Sequence, residues 1–136
     1  MENKLDNKEL ENLKKNVVCP VELALRVVGG KWRGSILYQL QDEPLRFNEL
    51  MLRVQDAVVY YDKRVDHFLS SKVLSEHLSS LQNLGMIEKL QEQDKTYYRL
   101  SQRGQSIVPL LIELFYWGEE HFQSDQLATS SYQSVT

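Results

Sequence analysis

Residues 70–100 read SSKVLSEHLSSLQNLGMIEKLQEQDKTYYRL, a helix pattern followed by a hairpin pattern. Val73, Leu74, Leu78, Leu81 and Leu84 recur at helical spacing and fall on one side of a helical wheel, with Lys72, Ser75, Glu76, Ser79 and Asn83 on the other. Ser70 or Ser71 suits the start of the helix, and Gly85 suits the left-handed position just past its end. Two strand-like runs follow, Met86 to Gln91 and Thr96 to Leu100, with Glu92 to Lys95 as the turn. A helix with one apolar and one short polar face, then a hairpin, is how a winged helix meets DNA, the helix in the major groove and the hairpin tip beside it. The same pattern fits an ordinary amphipathic helix packed on a hairpin, and this stretch alone leaves both open.

Upstream, Leu45-Arg46-Phe47 is short enough for one edge strand, and Asn48 is placed to cap a helix beginning Glu49-Leu50-Met51-Leu52. This would be the first helix of a helix-turn-helix, with the helix from Ser71 as the second. Lys31 to Gln41 reads as another helix, entered from Gly29-Gly30, with Trp32, Ile36, Leu37 and Leu40 on its core side. Cys19-Pro20 opens a helix over Val21 to Val28, since proline is favoured in a first helical turn. Cys19 then stands at a helix N-terminus, where the dipole favours a thiolate, although a lone cysteine also serves as a small buried hydrophobe. In residues 1–17, Leu5, Leu10, Leu13 and Val17 make a sparse helical stripe that must pack on the chain's own body or a partner subunit.

Composition narrows the function. With 136 residues the chain is long enough for one domain with its own core, and 42% hydrophobic and 26% charged residues are those of a soluble globular protein. No apolar run or leader-like opening suggests a membrane span or export, so a cytoplasmic protein without membrane association is expected. One cysteine excludes an internal disulfide, and His67, His77 and His121 lack metal-ligand spacing. No nucleophile, base and orienting acid can be assembled, no glycine-rich phosphate loop is present and no cofactor is called for, so an enzyme is not expected.

The net charge of −3 is unusual for a DNA binder. Residues 1–16 hold four acids and four bases, and the chain from Glu119 holds three acids and no lysine or arginine. That leaves twelve of each in residues 17–118. DNA affinity rests on neutralising phosphates, so a neutral body must gather its cations on one face. Candidates are Lys31, Arg33, Lys72, Lys95 and Arg99, with Lys63 and Arg64 further possibilities. A protein-interaction module that has lost DNA binding is the alternative that the neutral body and Glu76 favour.

Several short motifs in one order resemble the HxlR-type transcriptional regulators. They are Cys19-Pro20-Val21, Gly29-Gly30-Lys31-Trp32, Arg46-Phe47-Asn48-Glu49-Leu50, Ser71-Lys72-Val73-Leu74-Ser75, Gly85-Met86-Ile87, Tyr98-Arg99-Leu100-Ser101, Gly104, Pro109 and Trp117-Gly118. The resemblance implies an α+β winged helix-turn-helix domain with flanking N- and C-terminal dimerisation helices. It further implies a homodimeric regulator on a palindromic operator in double-stranded DNA, and a repressor is expected. Cys19 aligns with the cysteine that some members use to sense electrophiles or oxidants. The expected domains are an arm at 1–17, a winged-helix domain at 18–122 and a disordered tail at 123–136.

Two stretches remain. Ile107, Val108, Leu111, Leu114, Phe115 and Gly118 trace a broad apolar face on a helix from Ser101 to about Phe122, kinked or begun at Pro109. A dimer interface of Leu10, Leu13, Leu111, Leu114 and Trp117 is expected. Between Asn48 and Ser70 lie about a dozen residues more than the family uses. There Val54, Val58, Tyr61, Val65 and Phe68 form a helical stripe, despite the strand propensity of Val58 to Tyr61. Added helix is expected over residues 55–69, serving as extra core or walling a small-molecule effector pocket with Tyr60, Tyr61 and Phe68.

Overall fold

A computed structural model of the chain describes residues 4–16, 19–61 and 68–123. Val17, Lys63, Arg64, Val65, His67, most of the added segment's second half and the tail from 124 lie outside the described residues, as do the side chains of Leu5 and Tyr61. In chain order the elements are α1 (Lys4–Asn16), α2 (Pro20–Val28), α3 (Arg33–Gln39), α4 (Phe47–Tyr61), α5 (Ser71–Asn83), β1 (Ile87–Glu92), β2 (Lys95–Leu100) and α6 (Gln102–Gly118), followed by a π-helical turn at Glu119–Gln123. The chain forms two compact units, Met1–Gln105 and Ser106–Thr136.

In the first unit, Ile36, Leu37, Leu40, Leu45, Leu50, Val54, Leu74, Leu78, Leu81, Leu84, Met86, Ile87 and Leu100 are buried in one core drawn from α3, α4, α5 and the hairpin. The apolar stripe of α5 is thus the face that holds it. Its N-cap is Ser70, whose Oγ accepts from Val73 N–H at 3.1 Å. At the other end Gly85, with φ +76°, and Met86 return their N–H groups to Gln82 and Leu81 carbonyls at 3.0 and 2.9 Å. This paired reversal is what a left-handed glycine just past a helix permits.

Some boundaries differ from the sequence reading. The hairpin turn is only Gln93-Asp94, because Glu92 pairs with Lys95 and both turn residues take left-handed φ of 53° and 64°. A two-residue hairpin needs such φ values to match the strand twist. Leu45 alone pairs with Tyr98, exchanging hydrogen bonds of 2.9 and 2.8 Å, so no edge strand extends to Phe47. Arg46, not Asn48, opens α4, since its N–H donates to Glu49 Oε1 at 3.0 Å and its carbonyl receives Leu50 N–H. α3 begins at Arg33, leaving Lys31 in the preceding turn and Trp32 as the half-buried N-cap residue. The strand propensity of Val58 to Tyr61 yields to the helix already running from Phe47. After the segment outside description, Leu69 is buried and its N–H is held by Gln55 Oε1 of α4.

In the second unit, α6 runs on through Pro109, which lacks the N–H that Gln105's carbonyl would receive. Leu110, Leu114 and Trp117 lie along one exposed stripe, and Leu111 is half-buried. Trp117 stacks on His121 at 4.8 Å between ring centres, and His121 Nδ1 lies 3.0 Å from the Trp117 carbonyl.

Gly104 tests the packing that closes the hairpin's base. A Cβ there would overlap the Met86 carbonyl oxygen and press on Leu100. Gly104→Ala is expected to destabilise the chain by roughly 1–3 kcal/mol, the cost of overpacking against backbone. Urea unfolding would read this as a lower midpoint at unchanged slope; an unchanged midpoint would mean that the backbone yields there.

Candidate nucleic-acid interface

Burial of Leu74, Leu78 and Leu81 turns the opposite face of α5 outward, and Lys72, Ser75, Glu76 and Ser79 are all exposed on it. The N-cap fixes where this face begins and the Gly85 reversal fixes how the chain leaves it. β1 and β2 then project a hairpin whose tip carries exposed Lys95. That tip and the start of α4 line one open cleft, with Arg46, Phe47, Asn48 and Glu49 on one side and Asp94, Lys95 and Thr96 on the other. Sequence reasoning missed Arg46, whose exposed cation shares this cleft with Lys95. Its place immediately before a helix start was the available signal.

Other candidates are placed differently. Lys31 lies 5.5 Å from the Trp32 ring centre, in cation–π range. Arg99 donates from Nε to Glu88 Oε1 at 2.9 Å across the hairpin, so its charge is matched by a carboxylate at the surface. Arg33 departs from the phosphate-facing position expected of it. Its guanidinium is part-buried, donating to Ser80 Oγ at 2.6 Å, to the Val27 carbonyl at 3.1 Å and to His77 Nδ1 at 3.3 Å.

That last bond fixes the chemistry of His77. An accepting Nδ1 carries no proton, so the ring is neutral and protonated on Nε2. Burial, and then the Arg33 charge, hold its pKa below the ordinary 6.5, against an upward pull from Glu76. Burial likewise lowers the Arg33 pKa, with Glu9 opposing.

Cys19 is exposed at the N-cap of α2, with Pro20 as the first helical residue. No hydrogen bond is formed to its side chain as a cap, yet the backbone N–H groups of Glu22 and then Val21 lie where they favour a thiolate and lower its pKa. Of the expected effector pocket, only Tyr60 and Phe68 have described side chains. Tyr60 is 67% and Phe68 74% exposed, and neither lines the cleft at the hairpin tip nor a second one between α1, α2 and α5. α4 carries the stripe from buried Val54 through half-buried Val58 to Tyr61, its last residue. Leu10 and Leu13 are half-buried on α1. Among the described residues no cluster of His, Cys, Asp and Glu could hold a metal ion, and no helix is long and apolar enough to cross a membrane.

Known proteins are similar to this chain in sequence and in fold. A family model described as HxlR-like helix-turn-helix matches residues 27–126. The HTH-type transcriptional regulator YdzF of Bacillus subtilis (strain 168) is 34% identical over 113 residues, covering 80% of this chain and 93% of YdzF. The HTH-type transcriptional regulator YodB of the same organism is 28% identical over 109 residues, covering 77% and 87%. Among solved structures, the redox regulator HypR in its oxidized form superposes with a TM-score of 0.58 at 27% identity, covering 76% of this chain and 97% of HypR.

Two measurements follow from the site. Below about pH 6.5 the unfolded chain takes up a proton that folded His77 resists. Stability should therefore fall as the pH drops through that value, down to the lower folded pKa. Thermal melts across this range should show a shallower pH dependence in His77→Gln; equal slopes would remove His77 as the cause. The rate of Cys19 alkylation should reach its half-maximum at a pH below that of a free thiol. Labelling that needs denaturant would instead show a concealed cysteine.

Proposed function

Because this chain belongs to the HxlR-like helix-turn-helix family of DNA-binding transcriptional regulators, we propose that it acts in the cytoplasm as a homodimeric repressor and not as an enzyme. Its operator is palindromic. The reading rests on one observation: the capped helix α5 turns Lys72, Ser75, Glu76 and Ser79 outward together beside a hairpin carrying Lys95. In this reading α5 enters the major groove, Lys95 and Arg46 meet phosphates beside it, and Lys31 and Arg99 lie at the margin. Serine hydroxyls donate or accept at several base edges, so Ser75 and Ser79 confer broad preference.

Dimerisation supplies the second half-site, placing two copies of α5 about 34 Å apart along the duplex. Exposed Leu114 and Trp117, at 49% and 54%, together with Leu111, Leu10 and Leu13, are the proposed interface. An oxidant or electrophile is the proposed effector, with Cys19 its target. HypR is a redox regulator, and the lowered Cys19 pKa favours the nucleophilic thiolate. A single cysteine limits any disulfide to a second chain or a small thiol.

Lys95→Ala should weaken binding to all duplexes alike and reduce the slope of log affinity against log salt by about one. A changed base preference in DNA fragments selected by the variant would overturn the phosphate role. The protein should sediment as a dimer at micromolar concentration and Leu114→Asp as a monomer; a monomeric native protein would overturn the assembly.

A further inference from the structure

Arg33 opens α3, but its side chain joins four helices. Nη1 reaches the Val27 carbonyl in α2, while Nε and Nη2 reach His77 and Ser80 in α5. The Ser80 hydroxyl, having accepted from Arg33, donates onward to Glu9 Oε1 of α1 at 2.9 Å. His77 and Ser80 are three residues apart and share one flank of α5. Each is the chain neighbour of an outward-facing residue, Glu76 and Ser79. The groups held by Arg33 and the groups offered to DNA therefore ride on the same turn of helix.

We propose that Arg33 is a positioning residue for DNA recognition, setting the rotation of α5 about its own axis through His77 and Ser80 and tying that setting to Glu9 of α1. This rests on the reading of α5 as the recognition helix. The apolar stripe sets which side of α5 faces the core, and directional hydrogen bonds from Arg33 to its flank add an angular constraint that apolar contacts lack. A rotation of about 10° moves a side-chain tip ~5 Å from the helix axis by about 1 Å. Base-edge hydrogen bonds do not tolerate that displacement. Only a planar fork with donors fixed in different directions can hold a carbonyl, an imidazole nitrogen and a hydroxyl at once. Lysine keeps the charge but lacks the fork.

The full-length protein is titrated, across a salt series and well below its melting temperature, with the DNA fragment it selects from a genomic library and with mixed-sequence duplex. Arg33→Lys should lose roughly tenfold in affinity for the selected fragment, the scale of one lost charge-assisted hydrogen bond. Binding to mixed-sequence DNA and the salt slope should stay the same. Ser80→Ala, a smaller perturbation, should lose specific affinity in the same way, and the double variant should lose no more than Arg33→Lys alone. Equal losses on both DNAs, with a flatter slope in Arg33→Ala, would make Arg33 a phosphate contact and overturn the proposal. So would folded variants whose specific affinity matches the native protein's. A native protein with no salt-dependent DNA binding would instead overturn the reading of α5 itself.

Discussion

The end of α5 is tied to the start of α6 by hydrogen bonds that skip over the hairpin between them. Ser101 N–H donates to the Met86 carbonyl at 3.0 Å and Ser101 Oγ to that of Gly85, while Arg103 Nη1 takes the Leu84 carbonyl at 2.8 Å. Ser101 Oγ also accepts from Gly104 N–H at 3.1 Å, capping the helix it precedes. The three carbonyls that follow the last turn of α5 thus all find donors on Ser101 and Arg103. Ile87 and Leu100 are then brought opposite each other, the hairpin register follows, and Lys95 is carried to its tip. The pose of the hairpin relative to α5 is therefore settled at its base.

Division of labour among cations follows from the same geometry. A chain with a net charge of −3 has few positive groups to waste. Arg33 is drawn inward by Ser80, His77 and Val27, and Arg99 is matched by Glu88. Lys72, Lys95 and Arg46 are left exposed around the polar face of α5 and the hairpin tip.

The elements legible in the sequence were those whose signals are local. The α5 stripe, its serine cap and the glycine reversal each act within a few residues, and all three stand where the pattern placed them. Proline at the start of α2 was equally plain. The hairpin turn was read two residues too long because Gln93 is not a residue that advertises a left-handed φ; the strand pairing on both sides imposes it. Arg33 was misplaced for a different reason. Its partners on α5 lie 44 and 47 positions away, and no local pattern tells which way a long side chain points. Phe68 continues a helical stripe in the sequence, but a stripe says only that residues share a side, not that anything covers it, and Phe68 is exposed.

If the hairpin tip meets DNA as proposed, its turn has a consequence for the speed and thermodynamics of association. Holding a non-glycine residue in the left-handed region costs about 1 kcal/mol, and here two consecutive residues are held there in the free protein. The turn's conformational entropy is then lost during folding and would not be lost again on docking. A loop that must first order itself would surrender part of its contact energy on docking, whereas a turn already set in its left-handed conformation would not. Encounters should then be selected by orientation and charge alone, and sequence changes that loosen the turn should be felt in the association rate before they are felt in the fold.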